Sequence, residues 1–119
     1  MPTSMRLLRS YGIVEEMIPR GMWVQYRNLV YRIHARQSMF TRSIPDECVE
    51  HIIQNGEVIE DYPQAFPFPA KLLLGRCEDR SIHVVAAEDR DKHRVIVITA
   101  YEPTLDRWEL DMKTRRKHL

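Results

Sequence analysis

Four short runs in the second half of the chain carry the plainest pattern of apolar and polar positions. They are "GEVIEDYP" (56–63), "AKLLLGRC" (70–77), "SIHVVAA" (81–87) and "RVIVITAY" (94–101). The first alternates, and the other three are aliphatic and β-branched, as strands of a half-buried sheet are. Polar turns, "EDR" and "EDRDKH", separate the last three, and links this short join antiparallel neighbours. Pro63, Pro67 and Pro69 in "YPQAFPFP" remove residues 62–69 from any central strand.

The first half has a different period. Met5, Leu8, Tyr11 and Val14 predict a helix over 4–18, interrupted by Gly12 and closed by Pro19. Residues 22–33 are ambiguous, with "LVYRI" (29–33) favouring a short extended piece that leads into His34. A second helix begins near Ala35. Ser43, with Pro45 and Asp46 following, reads as a capping signal for a third helix, on which Cys48, Val49, Ile52 and Ile53 share one face. Asn55-Gly56 is its stop, because glycine tolerates the left-handed backbone of a helix end. After Glu102-Pro103, Thr104 caps a last helix striped by Leu105, Trp108 and Met112. Lys113, Arg115, Arg116 and Lys117 trail it in the order that complements a helix dipole. The expected fold is α+β: N-terminal helices packed on a four-stranded antiparallel sheet, with a C-terminal helix.

The length of 119 residues and 44% apolar content fit one globular domain. No run approaches the ~20 apolar residues of a membrane span, and the N-terminus lacks the apolar core of a signal peptide. Cys48 and Cys77 give no disulfide framework, so the plain expectation is a cytoplasmic protein with reduced thiols. Net charge is +1, but it is blocked: residues 1–45 carry seven arginines and two acids, and residues 46–62 carry six acids and no Lys or Arg. Such blocks either set a basic surface beside an acidic one or pair internally, and internal pairing is the simpler expectation.

The motifs "HAR", "NGEVIEDYP", "LLLG", "IHVVAA" and "VIVITAYEP", followed by a late Trp, occur in an order that resembles one bacterial family. It is the domain of unknown function 4258, and the resemblance covers about residues 26–112. Members of that family look like the RelE and BrnT toxins, small ribonuclease-fold domains that cleave RNA without metal and are restrained by an antitoxin. The resemblance therefore implies a RelE/BrnT-like fold for 26–119, with 1–25 as an N-terminal helical extension. It also implies a metal-independent endoribonuclease; the alternative is a catalytically silent binding module of the same fold. Gln37 and Phe40 stand where relatives often carry charged residues, and the segment to about Val24 lies outside the shared pattern.

Metal-free RNA cleavage needs a base, an acid and cations around the phosphate. His34 and His83 lie in the family-like motifs and are the candidate acid–base pair. Tyr101 is a candidate donor, because an even pairing sum on the last hairpin puts His83 opposite Thr99 or Tyr101 on one sheet face. Arg42 and Arg76 are the candidate phosphate-binding residues. The two histidines and the tyrosine each have a plainer reading. His34 can satisfy backbone groups at a strand–helix junction, and His83 can be a half-buried strand residue bonded to a neighbour. Tyr101 and Trp108 can simply pack, and the basic "KTRRKHL" end can be a solvated helix terminus. No Cys/His spacing specifies a metal site, no Gly-rich phosphate loop exists, and no cofactor is expected. The expected partners are RNA, an antitoxin protein or a second copy of the chain, and not a membrane.

Overall fold

The structure is a computed structural model, and it describes residues 28–117. The helix expected over 4–18 and the start of the proposed domain at residue 26 lie outside those residues. Strand β1 (Asn28–Tyr31) is followed by helices α1 (Ile33–Arg42) and α2 (Asp46–Asn55). Strands β2 (Glu57–Tyr62), β3 (Ala70–Cys77), β4 (Arg80–Asp89) and β5 (Arg94–Tyr101) then run as a meander. The five strands form one sheet in the order β1-β5-β4-β3-β2.

Two parts of the expected architecture are corrected. The sheet is mixed and five-stranded, not four-stranded and antiparallel, because β1 pairs parallel to β5 from Asn28↔Arg94 to Tyr31↔Val97. The extended piece expected in "LVYRI" is therefore a strand of the sheet, a pairing that no local pattern signals. Its pairing covers the open backbone edge that β5 would otherwise present to water. There is also no C-terminal helix among the described residues. Residues 102–117 fold back on themselves, with Trp108 bridged to Arg115 and Arg116 N–H bonded to the Arg107 carbonyl at 2.9 Å. Asp111 explains why: its carboxylate accepts from the backbone N–H groups of Lys113 (2.9 Å) and Thr114 (3.0 Å), and from the Thr114 hydroxyl (2.9 Å). Aspartate that bonds its own downstream backbone competes with the helical ladder. Met112 accordingly turns to φ 62°.

Both helices cover the same face of the sheet. Ala35, Met39 and Ile44 from the α1 side join Cys48, Val49, Ile52 and Ile53 of α2 in one core with Leu73, Ile82, Val84, Ala86, Val95, Val97 and Ala100. Ser43 belongs to the end of α1 rather than to the start of α2. It adopts φ 55°, and Ile44 N–H bonds back to the Met39 carbonyl at 2.8 Å, a Schellman turn. Arg80 reinforces that end, its guanidinium donating to the Arg42 and Ser43 carbonyls at 2.8 and 2.7 Å. Helix α2 starts after Pro45, with Asp46 and Glu47 in its first turn, where carboxylates favour the dipole.

Gly56 does end α2, but for another reason than the one expected. Its φ is −71°, ordinary for any residue. A Cβ there would instead sit 2.5 Å from the Ile52 carbonyl and 3.0 Å from the Leu74 carbonyl. Gly75 is the matching case on β3, where a Cβ would meet Ile52 Cγ1 at 2.5 Å. These two glycines let α2 dock against the sheet through Ile52.

Cys48 in α2 and Cys77 at the end of β3 are joined as a disulfide, with Cα atoms 5.6 Å apart, so the expectation of two reduced thiols is also corrected. That separation lies within the range disulfides require. The sequence hid it because 29 positions separate the two residues. Among the described residues, no helix is long and apolar enough to cross a membrane.

Candidate functional site

The face of the sheet turned away from the helices holds the densest polar cluster. His83 sits in mid-β4 between Ile82 and Val84, which point into the helix-side core, so strand alternation turns its ring to the other face. It pairs directly with Tyr101. The register needed for this is not constant along the hairpin. Ala87 faces Ile96, and a bulge between Val85 and Ala86 then shifts the pairing by one, so that Val85 meets Thr99 and His83 meets Tyr101.

The His83 ring is fully buried and both its nitrogens are engaged. Nε2 lies 2.7 Å from the Met112 carbonyl, which can only accept, so Nε2 carries the proton. Nδ1, 3.2 Å from the Tyr101 hydroxyl, must then accept from it. Burial lowers the His83 pKa against the opposing pull of the Met112 carbonyl, and burial raises that of Tyr101. Trp108, also buried, stands edge-on over the imidazole with centroids 4.5 Å apart. The Arg115 guanidinium lies 4.6 Å from the Trp108 ring centroid.

Arg115 is gripped in turn from β2. Its Nε and Nη2 donate to the two Glu60 oxygens at 2.7 and 3.0 Å, a bidentate pair, and the Tyr62 hydroxyl donates to the same carboxylate. The Arg115 hydrogen bonds hold the Glu60 pKa below its usual value. Lys113 bonds Glu57 at 3.1 Å, and Arg116 bonds Glu109 at 3.1 Å. The basic end of the chain is therefore a strap paired to β2 and to itself, rather than the solvated helix end expected. With Lys71 on Asp61 and Arg36 on Asp46, much of the acidic block is paired inside the molecule.

Of the five residues singled out from the sequence, the fold brings two together, His83 and Tyr101. His34 lies in the first turn of α1, exposed, on the helix side of the sheet. The sheet thus stands between His34 and His83. Arg42 is exposed at the end of α1, where its carbonyl accepts from Arg80. Arg76 is exposed near the end of β3 and lines a cleft of about 460 Å³ with His51, Glu57, Ser81 and Asp111. Glu60, Tyr62 and Arg115 complete the His83 cluster and were not picked out. Their signal was weak: Glu60 and Tyr62 fall two apart in an alternating strand, which puts both on one face.

The outer side of α1 has a different character. Ile33 and Phe40, seven positions apart and so on one helix face, are 77% and 88% exposed. Arg32, His34, Arg36 and Arg42 of the same segment are exposed as well. Beside Phe40 opens a cleft of about 410 Å³, floored by Met39 and Ile44 and flanked by the Arg36–Asp46 ion pair at 2.6 Å. Arg36 also lies 3.8 Å over the Tyr31 ring. The Tyr31 hydroxyl is buried without a hydrogen-bond partner among the described residues, and burial with nearby acids pushes its pKa up to about 12.

These features define a small mixed-sheet domain, helices on one face and an ion-paired strap on part of the other. The chain belongs to the family described as domain of unknown function (DUF4258), whose model matches residues 31–102. The match includes His34, Arg42, Arg76, His83 and Tyr101, and it ends before Trp108, Met112 and Arg115, which close over His83. Neither the curated proteins nor the solved structures contain a match to the chain.

Proposed function

We propose that this domain works by binding a protein partner through the outer face of α1, and that it does not cleave RNA with His34 and His83 as an acid–base pair. The observation that carries the reading is the position of the two histidines. His83 is fully buried with both nitrogens occupied, and His34 is exposed on the opposite side of the sheet. A general base has to reach its proton within hydrogen-bond distance or through one water. With both nitrogens of that buried ring occupied, His83 has none to offer a substrate while Met112 and Tyr101 hold it.

Helix α1 offers what an interface needs. Ile33 and Phe40 are exposed apolar anchors, and the cleft beside Phe40 can take an apolar side chain from a partner. The exposed Arg32 and Arg42 complement acids, whereas Glu47 and Glu50 on the adjacent α2 oppose a long polyanion. A partner segment with apolar anchors and flanking acids fits this surface better than an RNA strand. An antitoxin of the kind that restrains RelE- and BrnT-like toxins is one source of such a segment. The competing reading is a toxin-like endoribonuclease with phosphates on Arg42 and Arg76.

The test uses the full chain and a labelled acidic amphipathic peptide with Leu at i, i+4 and i+7 and Glu flanking them. Fluorescence anisotropy should show saturable binding that the Ile33→Ser, Phe40→Ser double variant weakens at least tenfold with an unchanged melting temperature. Equal binding by the double variant would remove α1 from the interface.

A further inference from the structure

We propose that Cys77 is a thiol-exchange site, at which a low-molecular-weight thiol such as glutathione opens the Cys48–Cys77 disulfide by attacking the Cys77 sulfur. The proposal is independent of the α1 reading. Its basis is the unequal placement of the two cysteines. Cys48 is 4% exposed inside the helix-side core among Val49, Ile52 and Ile53, whereas Cys77 is half-buried at the last position of β3, next to the exposed Glu78–Asp79 turn.

Exchange proceeds by in-line attack of a thiolate on one sulfur while the other departs. Attack on the Cys48 sulfur would have to come through the core. Attack on the Cys77 sulfur comes from the turn side and expels Cys48. The glutathione sulfur bonds to Cys77, the Cys48–Cys77 bond breaks, and its electron pair leaves on Cys48 as the thiolate. A second glutathione thiolate attacking the mixed disulfide then releases oxidised glutathione and Cys77 thiolate. The protein gains two electrons, and two glutathiones are joined as their disulfide.

One feature favours this direction. The departing Cys48 lies in the first turn of α2, whose N-terminal dipole stabilises a thiolate, although its burial and the Asp46 and Glu47 of the same turn work against it. The open form keeps its docking of α2, because Ile52 against Gly75 and Gly56 does not depend on the bridge. Opening therefore frees the first turn of α2 rather than unfolding the domain.

The experiment compares the Cys48→Ser and Cys77→Ser variants with oxidised glutathione as the probe. Mixed-disulfide formation is followed by mass spectrometry in native buffer and in denaturant. The expected result is at least tenfold faster modification of Cys77, in Cys48→Ser, than of Cys48, in Cys77→Ser, with the ratio collapsing toward one in denaturant. Using both conditions separates the effect of placement from that of either substitution. Equal native rates, faster modification of Cys48, or a ratio unchanged by denaturant would overturn the proposal.

Discussion

Acidification from about pH 7 to about pH 5.5 should destabilise the domain through His83. The ring is fully buried and neutral, and its pKa lies below the ordinary histidine value near 6.5 because burial penalises the cation. The unfolded chain binds a proton at that side chain as the pH falls through about 6.5, and the native state does not. The contribution of His83 is thus fully present above the unfolded pKa. It shrinks as the pH drops, with a limiting slope of ~1.4 kcal/mol per pH unit for one proton. Over this interval the loss cannot exceed about 1.3 kcal/mol, the limit for a folded ring that takes up no proton. For a domain of this size that limit corresponds to a fall in melting temperature of roughly 5–10 °C. Glu60, whose pKa is held down by Arg115, loses its contribution only further into acid, as the pH falls through its depressed native value. The assay is a series of thermal or urea melts across the interval for the wild type and His83→Gln. The difference in slope isolates His83, whatever the substitution does to absolute stability. Coincident slopes, or an NMR titration placing the His83 pKa at or above 6.5, would refute the argument.

Three further outcomes follow from local packing. Gly75→Ala should destabilise by about 1–3 kcal/mol in urea melts, because its Cβ would lie 2.5 Å from Ile52 Cγ1, and the cost should shrink when measured in an Ile52→Ala background, which removes that atom. Reducing the Cys48–Cys77 bridge should lower stability by roughly 3–4 kcal/mol, the loop-closure value for a separation of 29 residues, measured by urea melts with and without dithiothreitol. Tyr31→Phe removes a buried hydroxyl with no partner among the described residues, so its melting temperature should equal or exceed that of the wild type, by up to about 1 kcal/mol in stability.

How much of this was legible in the sequence depended on the range of the interactions. The runs that became β2 to β5 announced themselves by residue type, and the buried face of α2 by the spacing of Cys48, Val49, Ile52 and Ile53. β1 was legible as a short extended piece in "LVYRI", but its parallel pairing with β5 was not, since nothing local signals a partner so far along the chain. The stripe of Leu105, Trp108 and Met112 has true helical spacing, yet Leu105 is 47% exposed and the Asp111 turn outcompetes the helix. The pairing of His83 with Tyr101 was visible only as one of two registers, because a bulge cannot be read from either strand alone. What the sequence could not convey was which side of the sheet each residue would occupy. His34 and His83 share motif-like surroundings but end on opposite faces. Arg115 meets Glu60 across 55 positions, and no local pattern signals that pairing.

The most direct test of the central claim, that this domain binds rather than cleaves, is an RNA-integrity assay. Purified full-length protein is incubated with structured and single-stranded RNA in the presence of a metal chelator, alongside His34→Ala and His83→Gln variants shown by their melts to be folded. The account predicts that wild type and variants alike leave the RNA intact. Chelator-resistant cleavage by the wild type that is abolished in both folded variants would contradict it, and would place the two histidines in one working site.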